Sequence, residues 1–275
     1  RINHNKQKNA NKGSFPHGGA GRILSLQKKI QKSFERKQSR MDQNRMPLVE
    51  ALQQFREEAP AYFRIPGHRF ERGLDETLNG ASLAAYDLSE AEGLDDLHHA
   101  EGVIAEAQRL AAETWKAKKT FFLVNGTTCG NEAMVLSSVK EGEKIIVPRN
   151  VHKSVLMGLI LSGATPVYVM PEYSTKWQMW GGVTPETIEK AFAETPDAKA
   201  VLLVSPTYYG LCSDLQAIAE ICHCHNAALL VDEAHGSHLY FSEQLPLGAL
   251  ESGADACAQS IHKTAYGDGF LPSIP

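Results

Sequence analysis

A chain of 275 residues is long enough to bury a substantial core, as one large domain or two small ones. Apolar residues at 43% and charged residues at 22% are ordinary globular proportions, and five cysteines in no framework argue against a disulfide scaffold and for a reducing compartment. No run reaches the ~18 apolar residues needed to span a bilayer, and the net charge of −4 conceals a division: residues 1–45 carry 12 Lys and Arg against Glu35 and Asp42, while the remaining 230 carry 16 basic and 30 acidic side chains.

In chain order, the basic segment 1–45 comes first. It is rich in Asn, Gln, Lys and Gly and too poor in apolar residues to offset its own ordering entropy. Its acid-poor composition, with an amphipathic stretch around Ile23 to Phe34, fits a transit peptide to a plastid or other organelle. The alternative is a disordered tail on a cytoplasmic protein. Without interleaved aromatics it does not read as a nucleic-acid arm.

From Met46 the pattern becomes globular. Leu48, Leu52 and Phe55 recur at helical spacing, and a Pro/Gly-punctuated loop, "FRIPGHRFERG", follows. Ile104, Ala107, Leu110, Ala111 and Trp115 form one stripe of a helix predicted over Glu101 to Lys116. Short apolar runs then alternate with helical segments. The predicted strands are 120–124 (TFFLV), 144–148 (KIIVP), 165–171 (TPVYVMP), 199–206, 227–234 and 256–262. The predicted helices are Asn131–Val139, His152–Leu161, one starting at Thr184 with Pro185 in first position, and Asp214–His225. Such alternation predicts an α/β fold of three α/β/α layers with a mostly parallel sheet covered on both faces.

In folds of this kind ligands sit beyond the carboxyl ends of the strands, so the residues just after each strand matter most. Gly126, Thr127 and Thr128 open a helix after 120–124, where small residues, free N–H groups and the helix dipole favour a phosphate. The spacing is neither that of a P-loop nor that of a dinucleotide site. His152 follows 144–148 and could stack on a planar ring or cap the next helix. Asp232 ends an apolar strand and needs a partner for its charge: a metal, a base or a protonated ring nitrogen. Ser260, His262 and Lys263 follow the last strand, and a lysine amine in a partly desolvated pocket can attack a carbonyl. A phosphate cradle, a stacking histidine, an aspartate and a lysine at strand ends of one sheet are together the parts that pyridoxal phosphate requires. Cys222-His223-Cys224-His225 has no metal geometry, because adjacent helical residues point about 100° apart. His98-His99 beside Asp95-Asp96 lack ligand spacing too, so no metal site is expected.

The blocks "YFRIPGHRFERG", "GLDDLHHAEGVIAEAQRLAA", "FFLVNGTTCGNEAM", "VPRNVHKSV", "LVSPTYYGLCSDL", "LLVDEAHGSH" and "AQSIHKT" occur in that order from about Met46 to Thr264. On them the chain resembles the Orn/Lys/Arg decarboxylase family, pyridoxal-phosphate enzymes of the aspartate-aminotransferase fold. The resemblance implies that Lys263 holds the cofactor covalently and that Asp232 pairs with its ring nitrogen. It implies too that His152 stacks on the ring, Ala234 and His235 line the pocket, and Gly126, Thr127 and Thr128 hold the phosphate with Ser260 and His262. It further implies decarboxylation of a basic amino acid (arginine, lysine or ornithine) to a polyamine precursor, by a homodimer or higher oligomer with no nucleic-acid or membrane partner. A transaminase or β-eliminating lyase is the other chemistry the fold supports, and the "PGHR" and "HHAEGVI" blocks argue against it. The tail 265–275 does not resemble the family, so the expected organisation is a basic segment 1–45, a C-terminally truncated major domain 46–264 and a foreign tail. That organisation also fits an inactive relative acting as regulatory partner of a full-length decarboxylase.

Overall fold

Strand segments that alternate their side chains between two faces form the centre of the computed structural model, which describes residues 42, 44–58 and 86–264. Five strands form one sheet in the order β2-β1-β5-β6-β7: β1 Lys144–Pro148, β2 Thr165–Val169, β5 Ala200–Val204, β6 Ala228–Glu233 and β7 Ala256–Gln259. Every pairing in it is parallel. Between β2 and β5, a two-stranded antiparallel hairpin pairs β3 Tyr173–Ser174 with β4 Met179–Trp180.

The period of two along each strand explains the layers. Ile146, Val201, Leu203, Leu229 and Val231 turn to one face, where they pack with Ile188, Phe192, Ile218 and Cys222 of the helices α5 Pro185–Glu194 and α6 Leu215–Cys224. Ile145, Val147, Ala200, Leu202 and Leu230 turn to the other face. They meet Met134, Val135, Val155 and Leu159 of α3 Gly126–Ser138 and α4 Lys153–Ser162. The expected three-layer α/β/α architecture is therefore present. The remaining longer helices are α1 Pro47–Glu58 and α2 Val103–Thr114, and a single turn, α7 Ile261–Thr264, follows β7.

Local chemistry sets the helix ends. Thr184 Oγ1 accepts from the Thr187 N–H at 3.3 Å, with Pro185 in the first turn. Asp214 Oδ1 accepts from Ala217 N–H at 3.1 Å, and Gly163 closes α4 with φ +68°. Asp95 holds the approach to α2, its carboxylate accepting from the N–H groups of Asp96, Glu101, Gly102, Ile104 and Ala105 at 2.8–3.3 Å.

The chain departs from its sequence reading in four places. Residues 120–124 form no strand: no neighbouring strand supplies ladder partners among the described residues, and Phe121 and Val124 are 64% and 76% exposed. The helix expected at Asn131 starts at Gly126, so Gly126, Thr127 and Thr128 are its first turn. The last strand stops at Gln259 rather than running to 262. The hairpin was not foreseen, because its strands have only two residues each and carry no measurable period. The readings of 1–41, of the block at 62–73 and of the tail 265–275 lie outside the described residues. No helix of the described residues is long and apolar enough to cross a membrane.

Desolvation pushes the Asp95 carboxyl up, but the backbone N–H groups outweigh it and bring it down to about 2 from the ordinary 3.8. A lowered folded value stabilises the fold above the unfolded pKa and is lost as pH falls through the folded one. Asp95→Ala is therefore expected to lose about 1–2 kcal/mol at pH 7, at the low end because the carboxylate is partly exposed. Thermal melts should bring wild type and variant together as pH drops from 4 towards 2; a constant gap over that range would contradict this role.

Candidate active site

The same alternation that builds the core delivers the candidate residues. Leu230 and Asp232 turn to the α3/α4 face, and Val231 and Glu233 turn to the α5/α6 face. Asp232 is thus carried into the layer between β6 and the two helices that begin at this edge of the sheet. It is 2% exposed. Its Oδ2 accepts from Asn131 Nδ2 at 2.8 Å and its Oδ1 from the Ala234 N–H at 3.2 Å. No cation pairs with it among the described residues, so a buried carboxylate rests on two neutral donors. This is the arrangement expected of a site that receives a positive group.

Asn131 lies one turn into α3 and is 1% exposed. Its Nδ2 also donates to Ser154 Oγ at 2.9 Å, and Ser154 Oγ lies 2.8 Å from His152 Nδ1. His152 is the N-cap of α4, with Nδ1 accepting from the Ser154 N–H at 3.2 Å. One of the two roles left open for this histidine is thereby realised, and its ring remains exposed for the other.

The first turn of α3 faces the end of β7. Gly126 takes φ +67°, a conformation that favours glycine, and a Cβ there would meet nothing within 4 Å. Asn125 makes no side-chain cap, leaving the helix start without an acceptor from its own N-cap. The Thr127 hydroxyl donates to the Gln259 carbonyl at 3.1 Å and so ties α3 to β7. At Gly130 a Cβ would lie 2.9 Å from Leu123 Cδ1 and 3.0 Å from Ala258 Cβ, so glycine permits the close approach of α3 to β7.

Ser260 is 5% exposed, and its carbonyl accepts from the Lys263 N–H at 3.1 Å, closing the turn that carries the lysine. Thr128, His262 and Lys263 are exposed. The partly desolvated pocket expected around Lys263 is not formed by the described residues, since β7 is an edge strand of the sheet and α7 is only four residues long. Lys263 still acts on its surroundings. Desolvation first, and then the positive charge of Lys263, hold the His235 imidazole below its ordinary 6.5, partly offset by Asp232. Ala234 is buried, and Tyr208 meets the His235 ring edge-on with centroids 5.8 Å apart.

Sequence reasoning missed three residues here. Asn131 and Ser154 look like ordinary polar positions on helices, and the only signal was the "GN" and "HKS" context. Glu233 is fully buried on the opposite face. Its Oε1 accepts from the Ala249 N–H at 2.7 Å, and its Oε2 from Tyr240 OH at 3.0 Å and Gln259 Nε2 at 2.8 Å. Burial pushes its carboxyl up despite these donors. It fastens the segment after Asp232 to the sheet, and a Cβ on Gly236 would come within 2.5 Å of Glu233 Cγ. The CHCH run is dispersed: Cys222 is buried, His223 Nε2 sits 3.0 Å from Asp255 Oδ2, Cys224 is exposed and His225 stacks on Phe192 at 4.3 Å.

Lys263→Met removes the charge that helps depress His235, so proton NMR titration should show the His235 pKa rising; an unchanged value would mean that the two side chains do not interact. Gly236→Ala forces atoms below contact distance and should lower stability by about 1–3 kcal/mol in denaturant melts.

Residues 46–268 match the family described as Orn/Lys/Arg decarboxylase, major domain. An arginine decarboxylase of Halalkalibacterium halodurans is 45% identical over 224 residues, which cover 80% of this chain and 46% of that protein. An arginine decarboxylase of Bacillus cereus is 43% identical over 226 residues, covering 81% of this chain and 49% of the relative. The chain therefore spans about half the length of the curated relatives it matches. Among solved structures, lysine decarboxylase A from Pseudomonas aeruginosa superposes with a TM-score of 0.65 at 25% identity, over 79% of this chain and 33% of that one.

Proposed function

Because the chain belongs to the Orn/Lys/Arg decarboxylase family, we propose that it supplies the cofactor-binding core of a pyridoxal-phosphate-dependent decarboxylase acting on a basic amino acid. The observation that carries this reading is Asp232, a buried carboxylate on neutral donors with no cation beside it among the described residues. A pyridinium nitrogen is the positive group that would complete it.

The residues fit that cofactor as a donor set. Asp232 would hold the ring nitrogen and keep its proton in place. His152 would lie against the ring face. The Gly126–Thr128 turn, with Ser260 and His262, would receive the phosphate at the start of α3, where the helix dipole favours an anion. Ala234 and His235 would line the site, and the Lys263 amine would hold the group covalently. When bound, pyridoxal phosphate supplies an electron sink for charge developing at the substrate α-carbon. The contribution of the chain is electrostatic. The Asp232 carboxylate is already desolvated and hydrogen-bonded, so it needs little reorganisation as charge moves into the ring. Burial, and then the Lys263 charge, hold His235 below its ordinary pKa, which disfavours a second positive charge at this edge.

Arginine is the substrate to which the names of the two relatives point; the amine product would then serve polyamine synthesis, and the working form would be a homodimer or higher oligomer. A test that separates this from transamination offers carboxyl-labelled arginine, lysine and ornithine to the chain with pyridoxal phosphate. The expected result is labelled CO2 and an amine. Borohydride reduction should leave the cofactor mass on Lys263, and Lys263→Ala should lose both. Asp232→Asn should lower the rate about 10²–10³-fold. A keto acid in place of CO2, or a label on another lysine, would overturn the reading.

A further inference from the structure

We propose that Asn131 and Ser154 are positioning residues: an uncharged bridge that fixes the Asp232 carboxylate and the His152 ring in one frame and keeps the proton of the neutral imidazole on Nε2.

The hydrogen-bond directions follow from the contacts. The Ser154 backbone N–H donates to His152 Nδ1, so Nδ1 presents a lone pair and carries no proton. In this tautomer the Ser154 hydroxyl, 2.8 Å from the same nitrogen, is the donor in that contact and shares the single Nδ1 lone pair with the backbone N–H. Its oxygen is left to accept, and Asn131 Nδ2 lies 2.9 Å away. The other Nδ2 hydrogen goes to Asp232 Oδ2 at 2.8 Å. A flipped amide would set Oδ1 against the carboxylate, so this orientation is the one the charge selects.

Two consequences distinguish the bridge from generic packing. Asn131 donates at both ends, so the chain of contacts cannot carry a proton between Asp232 and His152; it orients both without coupling their charges. Among the described residues, Asn131 Oδ1 is buried with no hydrogen-bond partner, a loss of about 1–3 kcal/mol that an apolar residue would avoid. Stability alone does not account for an amide at this position. Its two donations do, since together they link α3, α4 and β6 at the edge where Asp232 and His152 act. Groups that orient a ligand-holding residue from behind typically change affinity about 10–100-fold when removed.

This inference rests on the cofactor reading for its purpose, but its test does not. Histidine-selective nitrogen-15 labelling of the whole 275-residue chain, without added cofactor, reads the tautomer. His152 should show a protonated Nε2 and an unprotonated Nδ1. Asn131→Ala does not touch the ring, yet it should shift both His152 nitrogens. Ser154→Ala should do the same, and Ser154→Thr should restore the wild-type signature. A proton on Nδ1 in the wild type overturns the bridge without recourse to any variant, and so do His152 signals unmoved in folded Ser154→Ala. In parallel, Asn131→Ala should weaken pyridoxal-phosphate binding about tenfold or more, read by cofactor absorbance. If the wild type shows the expected tautomer and the expected response to the variants but binds no pyridoxal phosphate, the cofactor reading falls and the bridge stands. If it binds the cofactor but carries the Nδ1 proton, the bridge falls alone.

Discussion

Placing a carboxylate inside a protein without a cation beside it is among the more demanding demands a sequence can make on its fold. Asp232 makes it at the end of β6, and much of the surrounding structure follows. The strand before it is continuously apolar because both faces are covered. The helix facing it presents Asn131, and the next residue but one turns its N–H back to the carboxylate. These neutral donors hold the charge without cancelling it, and what remains is a directed negative field at the carboxyl edge of a parallel sheet.

The alternation of β6 also separates two jobs given to adjacent acids. Asp232 turns to the α3/α4 layer, where the other candidate residues are, and Glu233 turns to the opposite layer and binds Ala249, Tyr240 and Gln259. The second acid anchors the segment that carries Ala234 and His235, so the site is braced from the face it does not use. On the near side, Thr127 joins α3 to β7, and Ser237 and Thr264 meet through their hydroxyls at 2.5 Å. The edge from which chemistry would be done is thus bonded together across α3, α4, β6 and β7.

Much of this was legible in the sequence because it rests on period and charge. The parallel strands from 144 onward, the cap at Thr184 and the placement of Asp232 at the end of a strand and of His152 and Lys263 after strands all follow from local patterns. What was not legible depends on partners. The segment 120–124 has strand composition, but a strand exists only where a neighbour supplies its ladder. Asn131 and Ser154 are 23 residues apart and meet only because α3 and α4 pack side by side. The Thr127 hydroxyl reads as a free donor until the end of β7 is placed against it. Exposure of Lys263 is likewise a property of the surroundings and not of the tetrapeptide that carries it.

On the reading proposed above, the buried charge of Asp232 is matched to a protonated ring nitrogen. Equilibrium binding of pyridoxal phosphate and of its analogue with carbon in place of that nitrogen tests it most directly. The wild type should prefer the natural cofactor by at least about tenfold, or 1.4 kcal/mol, and Asp232→Asn should remove most of the preference. Equal affinity for the two compounds in the wild type, or a preference that survives in Asp232→Asn, would contradict it.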